Sequence, residues 1–117
     1  MPNINFNDIK SKNVIAFTYA THGACGNANV IEILTDKYKK PIKLNNKKQI
    51  EKLIPCLLEM KFIFNHVKNV SEDWIHYDMG LGNHLFVRSS INNQFAEKLK
   101  NLSIQDIYKN WYNIIIN

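Results

Sequence analysis

Residues 74–89 read WIHYDMGLGNHLFVRS and carry the strongest structural pattern of the chain. Two short aromatic-rich runs flank the tetrapeptide Gly80-Leu81-Gly82-Asn83. Glycine is useful where the backbone must turn sharply, and two of the chain's four glycines lie in this tetrapeptide. The stretch therefore predicts a β-hairpin that joins two strands of an antiparallel sheet.

The polar residues of this hairpin make it the first candidate for a functional site. Alternate side chains of a strand share a face, so His76 and Asp78 lie together on the first strand, and His84 and Arg88 on the second. Such a cluster can serve acid–base chemistry or phosphate binding, or it can form a cross-strand polar network. We favour the polar network or a protein-binding surface, because no second carboxylate, metal-ligand set or phosphate loop accompanies the cluster.

Upstream of the hairpin, three segments predict a β-meander. Residues 14–20 (VIAFTYA) and 30–35 (VIEILT) are rich in β-branched and aromatic residues, which favour strands, and residues 41–44 form a third, shorter candidate. The connections between them are too short for parallel crossovers, so we expect neighbouring strands to pair antiparallel. A further strand is predicted at residues 62–67.

The clearest helix of the chain is predicted after Asn45 or Asn46, either of which can cap it. Its apolar residues recur at the spacing of one helix face, at Ile50, Leu53, Ile54, Leu57 and Leu58. Pro55 lies inside this pattern and removes one helix hydrogen bond, so it is expected either to kink the helix or to break it.

Two more helices are predicted at the C-terminal end. Ser89 or Ser90 is expected to cap the first, and Ser103 with Asp106 three residues later resembles a capping box for the second. The complete chain, residues 1–117, is therefore expected to form a single α+β domain. In it, two to three helices pack on an antiparallel sheet of about five or six strands.

Composition narrows the class of protein. The chain is 45% hydrophobic and 21% charged, which is typical of a globular protein. No apolar run approaches the roughly 20 residues of a membrane span, and residues 1–12 do not resemble a signal peptide. We therefore expect a cytoplasmic protein without a membrane partner, in which Cys25 and Cys56 are reduced thiols. The sequence does not indicate an oligomeric state.

The formal net charge of +5 raises the alternative of a nucleic-acid partner. Aromatic residues on the predicted strands could stack on bases, as in RNA-binding sheets; they are Tyr19, Phe62, Phe64, Trp74, Tyr77 and Phe86. No RNP-like, KH-like or zinc-knuckle motif accompanies them, and aromatic residues in apolar strands more often form the core. We therefore favour core packing and a solvated basic surface.

The other candidate sites involve histidine. His22 and Cys25 lie three residues apart in a glycine-rich loop, where a cysteine could act as a nucleophile with a histidine base, although a tight turn is the favoured interpretation. The four histidines have no HxxxH or HxH spacing, so no zinc site and no other cofactor is expected. Histidine and lysine together can make a metal-independent ribonuclease. A small basic nuclease that uses His22, His76 or His84 therefore stays open as an alternative.

Residues 77–95, YDMGLGNHLFVR followed by SSINNQF, resemble a motif of small bacterial immunity proteins, several of which are encoded beside toxins of contact-dependent growth inhibition systems. The shared features are a Gly-Leu-Gly turn, an apolar strand that ends in arginine (Arg88), and a polar cap followed by a helix. The resemblance extends over about residues 74–110, and the run from Gly82 to Arg88 is longer than in those families. It implies a small cytoplasmic protein that binds and neutralises a toxin domain and is not an enzyme.

If the toxin is a nuclease, its nucleic-acid cleft is basic and the immunity protein should present acidic residues to it. The acidic residues nearest to the hairpin are Glu72, Asp73 and Asp78. Trp74 and Tyr77 could act as aromatic anchors. The complete set of predicted partner-binding residues is Glu72, Asp73, Trp74, His76, Tyr77, Asp78, Asn83, His84 and Arg88. The alternatives are the small basic nuclease and a nucleic-acid-binding regulator.

Overall fold

The computed structural model describes residues 9–22, 28–59, 73–80 and 82–116, which form five strands and three α-helices. In chain order the elements are β1 (Val14–His22), β2 (Ala28–Thr35), β3 (Ile42–Leu44), α1 (Lys47–Glu59), β4 (Trp74–Asp78), β5 (Asn83–Arg88), α2 (Ser89–Leu99) and α3 (Ile104–Ile116). A short 3₁₀ turn, Ser11–Asn13, precedes β1. The strand predicted at residues 62–67 lies outside the described residues. None of the described helices is long and apolar enough to cross a membrane.

The five strands form one antiparallel sheet in the order β3-β2-β1-β5-β4. The predicted meander is confirmed, since β2 pairs with both β1 and β3. The predicted hairpin is also confirmed, with Asp78 opposite His84 at its closed end. The hairpin joins the meander because β5 pairs with β1, where Phe17 lies opposite Phe86. The α+β fold class predicted from the sequence is therefore confirmed.

Helices cover both faces of this sheet. On the face that we call the α1 face, one row of residues runs across all five strands: Ile42, Ile33, Phe17, Phe86 and His76. The adjacent row faces the opposite side, which we call the α2–α3 face: Lys43, Glu32, Thr18, Leu85 and Tyr77. Leu53 of α1 packs into the first cluster, and Phe95 and Trp111 of α2 and α3 pack into the second. Each fully buried side chain of this size stabilises the fold by about 1.5–3 kcal/mol.

The helix caps follow local sequence in two of the three helices. The backbone N–H of Lys48 donates to Oδ1 of Asn46 at 2.8 Å, and the N–H of Asp106 donates to Oγ of Ser103 at 3.1 Å, as predicted. The predicted serine cap of α2 is wrong. The residue before this helix is Arg88, which makes no side-chain cap hydrogen bond. Strand pairing continues up to the helix, because the N–H of Ser89 donates to the carbonyl of Asp73 at 2.8 Å.

Helix α1 is continuous across Pro55. Of the two outcomes expected at this proline, a break into two helices is therefore wrong. Pro55 is exposed, whereas Leu53 is buried and Cys56 packs against the same core cluster. Helical stability in proteins comes mostly from packing of the apolar face, and we infer that this packing holds the helix together where one backbone hydrogen bond is missing.

Two glycines shape the hairpin turn. Gly80 has a φ of 80° and Gly82 a φ of 77°, in the left-handed region that side chains disfavour. The turn is closed by the N–H of Asn83, which donates to the carbonyl of Gly80 at 3.0 Å, and by the N–H of Met79, which donates to the carbonyl of Asn83 at 2.9 Å. The glycines from which the sequence predicted a turn are therefore favoured by the positive φ angles of that turn.

Replacing Gly80 with alanine is expected to destabilise the protein by about 1 kcal/mol. A Cβ atom at this position meets no atom within 4 Å, so the cost arises from the backbone alone. Asparagine tolerates the left-handed region better, so Gly80→Asn should cost roughly half as much. Urea-induced unfolding of the three proteins measures both differences. An alanine variant as stable as the original protein would contradict the conformational explanation.

Candidate functional site

Two of the predicted partner-binding residues are buried in the free protein. Trp74 is 5% exposed, and its ring contacts Phe17 edge-on with a centroid distance of 5.1 Å. Asn83 is 9% exposed, and its Nδ2 donates to the carbonyl of Gly80 at 3.2 Å. Trp74 therefore contributes to the core and Asn83 to the turn. The accessible surface of the hairpin is formed by other side chains.

Arg88 joins the end of the hairpin to the start of β1. Its Nε donates to the carbonyl of Val14 at 2.8 Å, and its Nη2 donates to the carbonyl of Ser11 at 2.6 Å. Its guanidinium also lies over the ring of Trp74, 4.4 Å from the centroid. The chain's single arginine is thus engaged within the fold.

Tyr77 connects β4 to helix α2. Its hydroxyl donates to Oδ1 of Asn92, and its ring packs edge-on against Phe95 with a centroid distance of 5.5 Å. Burial raises the pKa of the Tyr77 phenol, although the hydrogen bond with Asn92 opposes that rise. Tyr77 is half-buried and holds the strand against the helix layer.

His76 and His84 form a hydrogen-bonded pair across the hairpin. The His76 Nε2 and His84 Nδ1 atoms lie 2.9 Å apart, so one ring donates and the other accepts. An accepting ring nitrogen must carry no proton, so at least one of the two rings is neutral. The His76 ring stacks on buried Phe86 with a centroid distance of 4.9 Å. Burial, and then His84, lower the pKa of His76, whereas Asp78 opposes the shift.

Acidification is therefore expected to destabilise the protein through His76. Below the ordinary pKa of 6.5 the unfolded chain takes up a proton at this residue, but the folded chain does so only at a lower pH. The contribution of His76 to stability is therefore complete at neutral pH. It is lost as the pH falls below 6.5 toward the lowered pKa that His76 has in the folded protein. Urea unfolding at about pH 7.5 and about pH 5.5 measures the loss. His76→Phe, which can keep the stacking on Phe86, should reduce it, and equal losses in both proteins would contradict the assignment to His76.

The exposed side chains of β4 and of the residue before it form a set that we call the outer strand surface: Asp73, Ile75 and Asp78. All three are exposed, and Ile75 is one of the large apolar side chains with more than a third of its surface exposed, at 36%. Asp78 is fixed in part, since its Oδ1 accepts a hydrogen bond from the N–H of Gly80 at 2.9 Å. The predicted contact residue Glu72 lies outside the described residues.

A polar cavity on the α2–α3 face was not predicted from the sequence. It has a volume of about 220 Å³ and is lined by Thr18, Ala20, Val30, Glu32, Lys43, Asn83 and Tyr108. Burial raises the pKa of Glu32, and the charge of Lys43 opposes that rise. The available sequence signal was Thr18 and Glu32, which interrupt the apolar runs of residues 14–20 and 30–34. Only the strand register shows that they are neighbours.

The remaining candidates occupy different positions. His22 pairs with Ala28 at the end of β1, and Cys25 lies outside the described residues, as do Phe62 and Phe64. Cys56 is half-buried and forms no disulfide with any described residue. Of the strand aromatics that the structure describes, Tyr19, Trp74 and Phe86 are buried. Within the described ranges, no three His, Cys, Asp or Glu side chains come together as metal ligands would.

Comparison with known proteins assigns no role to these residues. No protein-family model matches the chain, and no curated protein or solved structure shows significant similarity to it. The function is therefore inferred from the outer strand surface, the histidine pair and the sequence resemblance.

Proposed function

We propose that this protein is a non-enzymatic immunity protein that binds a cognate toxin domain through β4 and its turn. The observation that carries the proposal is the outer strand surface, where Asp73 directly before β4 and Asp78 at its last position are exposed and Ile75 is exposed between them in the chain. Ile75 and Asp78 lie on opposite faces of β4, which is the outermost described strand of the sheet, so a partner that spans this edge can contact both. Carboxylates beside an exposed apolar side chain suit a basic protein surface such as the nucleic-acid cleft of a nuclease.

The net charge of +5 opposes long-range attraction to a basic partner. Salt screens charges beyond about 10 Å at 0.1 M ionic strength, so the local charge of the outer strand surface governs the contact. Burial and His84 lower the pKa of His76, which favours the neutral form of this ring at neutral pH, so His76 adds no positive charge near Asp78.

The buried and half-buried members of the hairpin support this role indirectly. Arg88 and Trp74 hold one end of β4, and the Tyr77–Asn92 hydrogen bond holds the strand near its other end. A strand fixed in this way loses little conformational freedom on binding, and such preorganisation favours affinity. In this proposal the buried residues shape the surface, and the outer strand surface with the half-buried histidine pair contacts the toxin.

Two observations favour this proposal over its alternatives. For the small nuclease, His76 bonds to His84 and stacks on Phe86, an arrangement that differs from a histidine held beside a lysine in an open substrate site. For a nucleic-acid-binding regulator, base stacking needs accessible rings, whereas Trp74 and Phe86 are buried and helices cover both faces of the sheet.

The decisive experiment is capture of the partner from the native host, followed by co-expression with the recovered toxin. Asp73→Asn/Asp78→Asn removes both carboxylates of the outer strand surface, and Asp36→Asn/Asp106→Asn is the matched control at exposed positions elsewhere. We expect the original protein and the control to restore growth of toxin-expressing cells. Loss of each carboxylate should weaken toxin binding by about tenfold.

Three results would overturn the proposal. The first is equal toxin binding by the outer-surface variant and the control. The second is toxicity of the protein itself on expression, abolished by His84→Ala, which would identify the nuclease. The third is salt-sensitive binding to DNA or RNA with no protein partner, which would identify the regulator.

A further inference from the structure

The cavity on the α2–α3 face brings together a carboxylate, an ammonium group and a hydroxyl group. Lys43, Glu32 and Thr18 lie directly opposite one another on β3, β2 and β1. Tyr108 of α3 lines the same cavity from the helix layer. Asn83 of β5 also lines it, so four adjacent strands and one helix build the site.

The two charged groups of this cavity are neighbours without being in contact. Glu32 and Lys43 are cross-strand partners, and the lysine charge affects the carboxylate. Within the described part of the chain, however, they do not approach to the 4.0 Å of a salt bridge. A half-buried carboxylate is then best satisfied by a further hydrogen-bond donor, which a ligand can supply.

Thr18 provides the second indication of a ligand. Its side chain is 7% exposed and lines the cavity. Among the described residues its hydroxyl has no hydrogen-bond partner. Buried polar groups are almost always paired in folded proteins, so this hydroxyl is available to a polar molecule in the cavity.

We propose that this cavity binds a small zwitterion, namely a free α-amino acid with a short side chain. In this arrangement the ammonium group of the ligand donates to Glu32, its carboxylate accepts from Lys43, and Thr18 supplies one more hydrogen bond. The volume of about 220 Å³ is below the roughly 300–1,000 Å³ of sites for drug-sized ligands, so it suits a molecule of few heavy atoms. Ala20 and Val30 provide an apolar wall for a short side chain. This binding does not depend on the proposed immunity function.

The test is an NMR titration of the ¹⁵N-labelled protein with L-alanine at neutral pH. We expect saturable shifts that centre on the amides of Thr18, Glu32 and Lys43 at millimolar ligand. Propionate lacks the ammonium group and ethylamine lacks the carboxylate, so each should bind about tenfold more weakly or worse. These two ligands test the proposal on the unaltered protein, whatever the stability of any variant.

Substitutions of the cavity residues provide the second part of the test. Glu32→Gln and Lys43→Met should each weaken L-alanine binding by about tenfold, and Thr18→Val, which keeps the shape of the side chain, should weaken it severalfold. Glu51→Gln and Lys40→Met are matched controls at exposed positions and should leave binding unchanged. The proposal is overturned if L-alanine causes no saturable shifts, if propionate or ethylamine binds as well, or if the controls weaken binding as much as the cavity variants.

Discussion

Replacement of Phe86 with alanine is expected to lower the free energy of unfolding by about 3–5 kcal/mol. Phe86 is completely buried at the centre of β5. Its ring stacks on Phe17 with a centroid distance of 4.8 Å and an interplanar angle of 17°, and on its other neighbour, His76, at 4.9 Å. Truncation removes both aromatic contacts and leaves a cavity between the sheet and α1.

Such a loss is a large part of the roughly 5–15 kcal/mol that stabilises a typical domain. Equilibrium unfolding in urea measures the difference, and Phe86→Leu serves as the control because it retains most of the buried volume. The leucine variant should lose about 1–2 kcal/mol. A loss below about 1 kcal/mol in the alanine variant would show that the Phe17–Phe86–His76 stack is not central to the core.

Replacement of Arg88 with alanine is expected to lower the free energy of unfolding by about 2–4 kcal/mol. The side chain donates to the carbonyls of Val14 and Ser11 and covers the ring of Trp74. Its removal leaves two partly buried carbonyl groups without these donors and exposes one face of the indole. The 3₁₀ turn Ser11–Asn13 should then separate from the end of β5, because Arg88 connects them.

Arg88→Lys tests whether the shape of the guanidinium group or its positive charge provides this stabilisation. Lysine keeps the positive charge, but its single ammonium group cannot reproduce the planar fork that reaches two carbonyls and stacks on a ring. We expect it to recover less than half of the loss, as measured by urea unfolding and by amide hydrogen exchange of Asn13 and Val14. Full stability of the lysine variant would mean that charge alone is sufficient.

The elements of this fold that depend on near neighbours were accessible from the sequence. The turn at Gly80 to Asn83, the cap at Asn46 and the cap at Ser103 each arise from groups within a few residues of one another. The meander followed from strand composition and from connections too short for a crossover. That Arg88 and not a serine precedes α2 was not foreseen, because the end of β5 is set by a backbone hydrogen bond from Ser89 to Asp73, a residue far away in the chain.

The candidate sites show the same difference between features set by near neighbours in the chain and features set by distant contacts. Sequence periodicity correctly assigned His76 and Asp78 to one face of β4, but it could not show that His76 stacks on Phe86 or that Trp74 is buried. The cavity residues Thr18, Glu32 and Lys43 are 14 and 11 positions apart along the chain, and they meet only because three strands pair in one register. No local sequence pattern therefore predicts that these three polar side chains share a cavity.

The sequence by itself determined the antiparallel α+β fold, the hairpin with its glycine turn and the caps of two helices. The tertiary structure alone decided which hairpin residues stay accessible, how Arg88 is engaged, and which polar groups share a cavity. The physical reason is the separation along the chain over which each kind of interaction acts. Turn, cap and periodicity preferences act between residues close in the chain, whereas burial and the pairing of polar groups depend on contacts between segments that only the complete fold brings together.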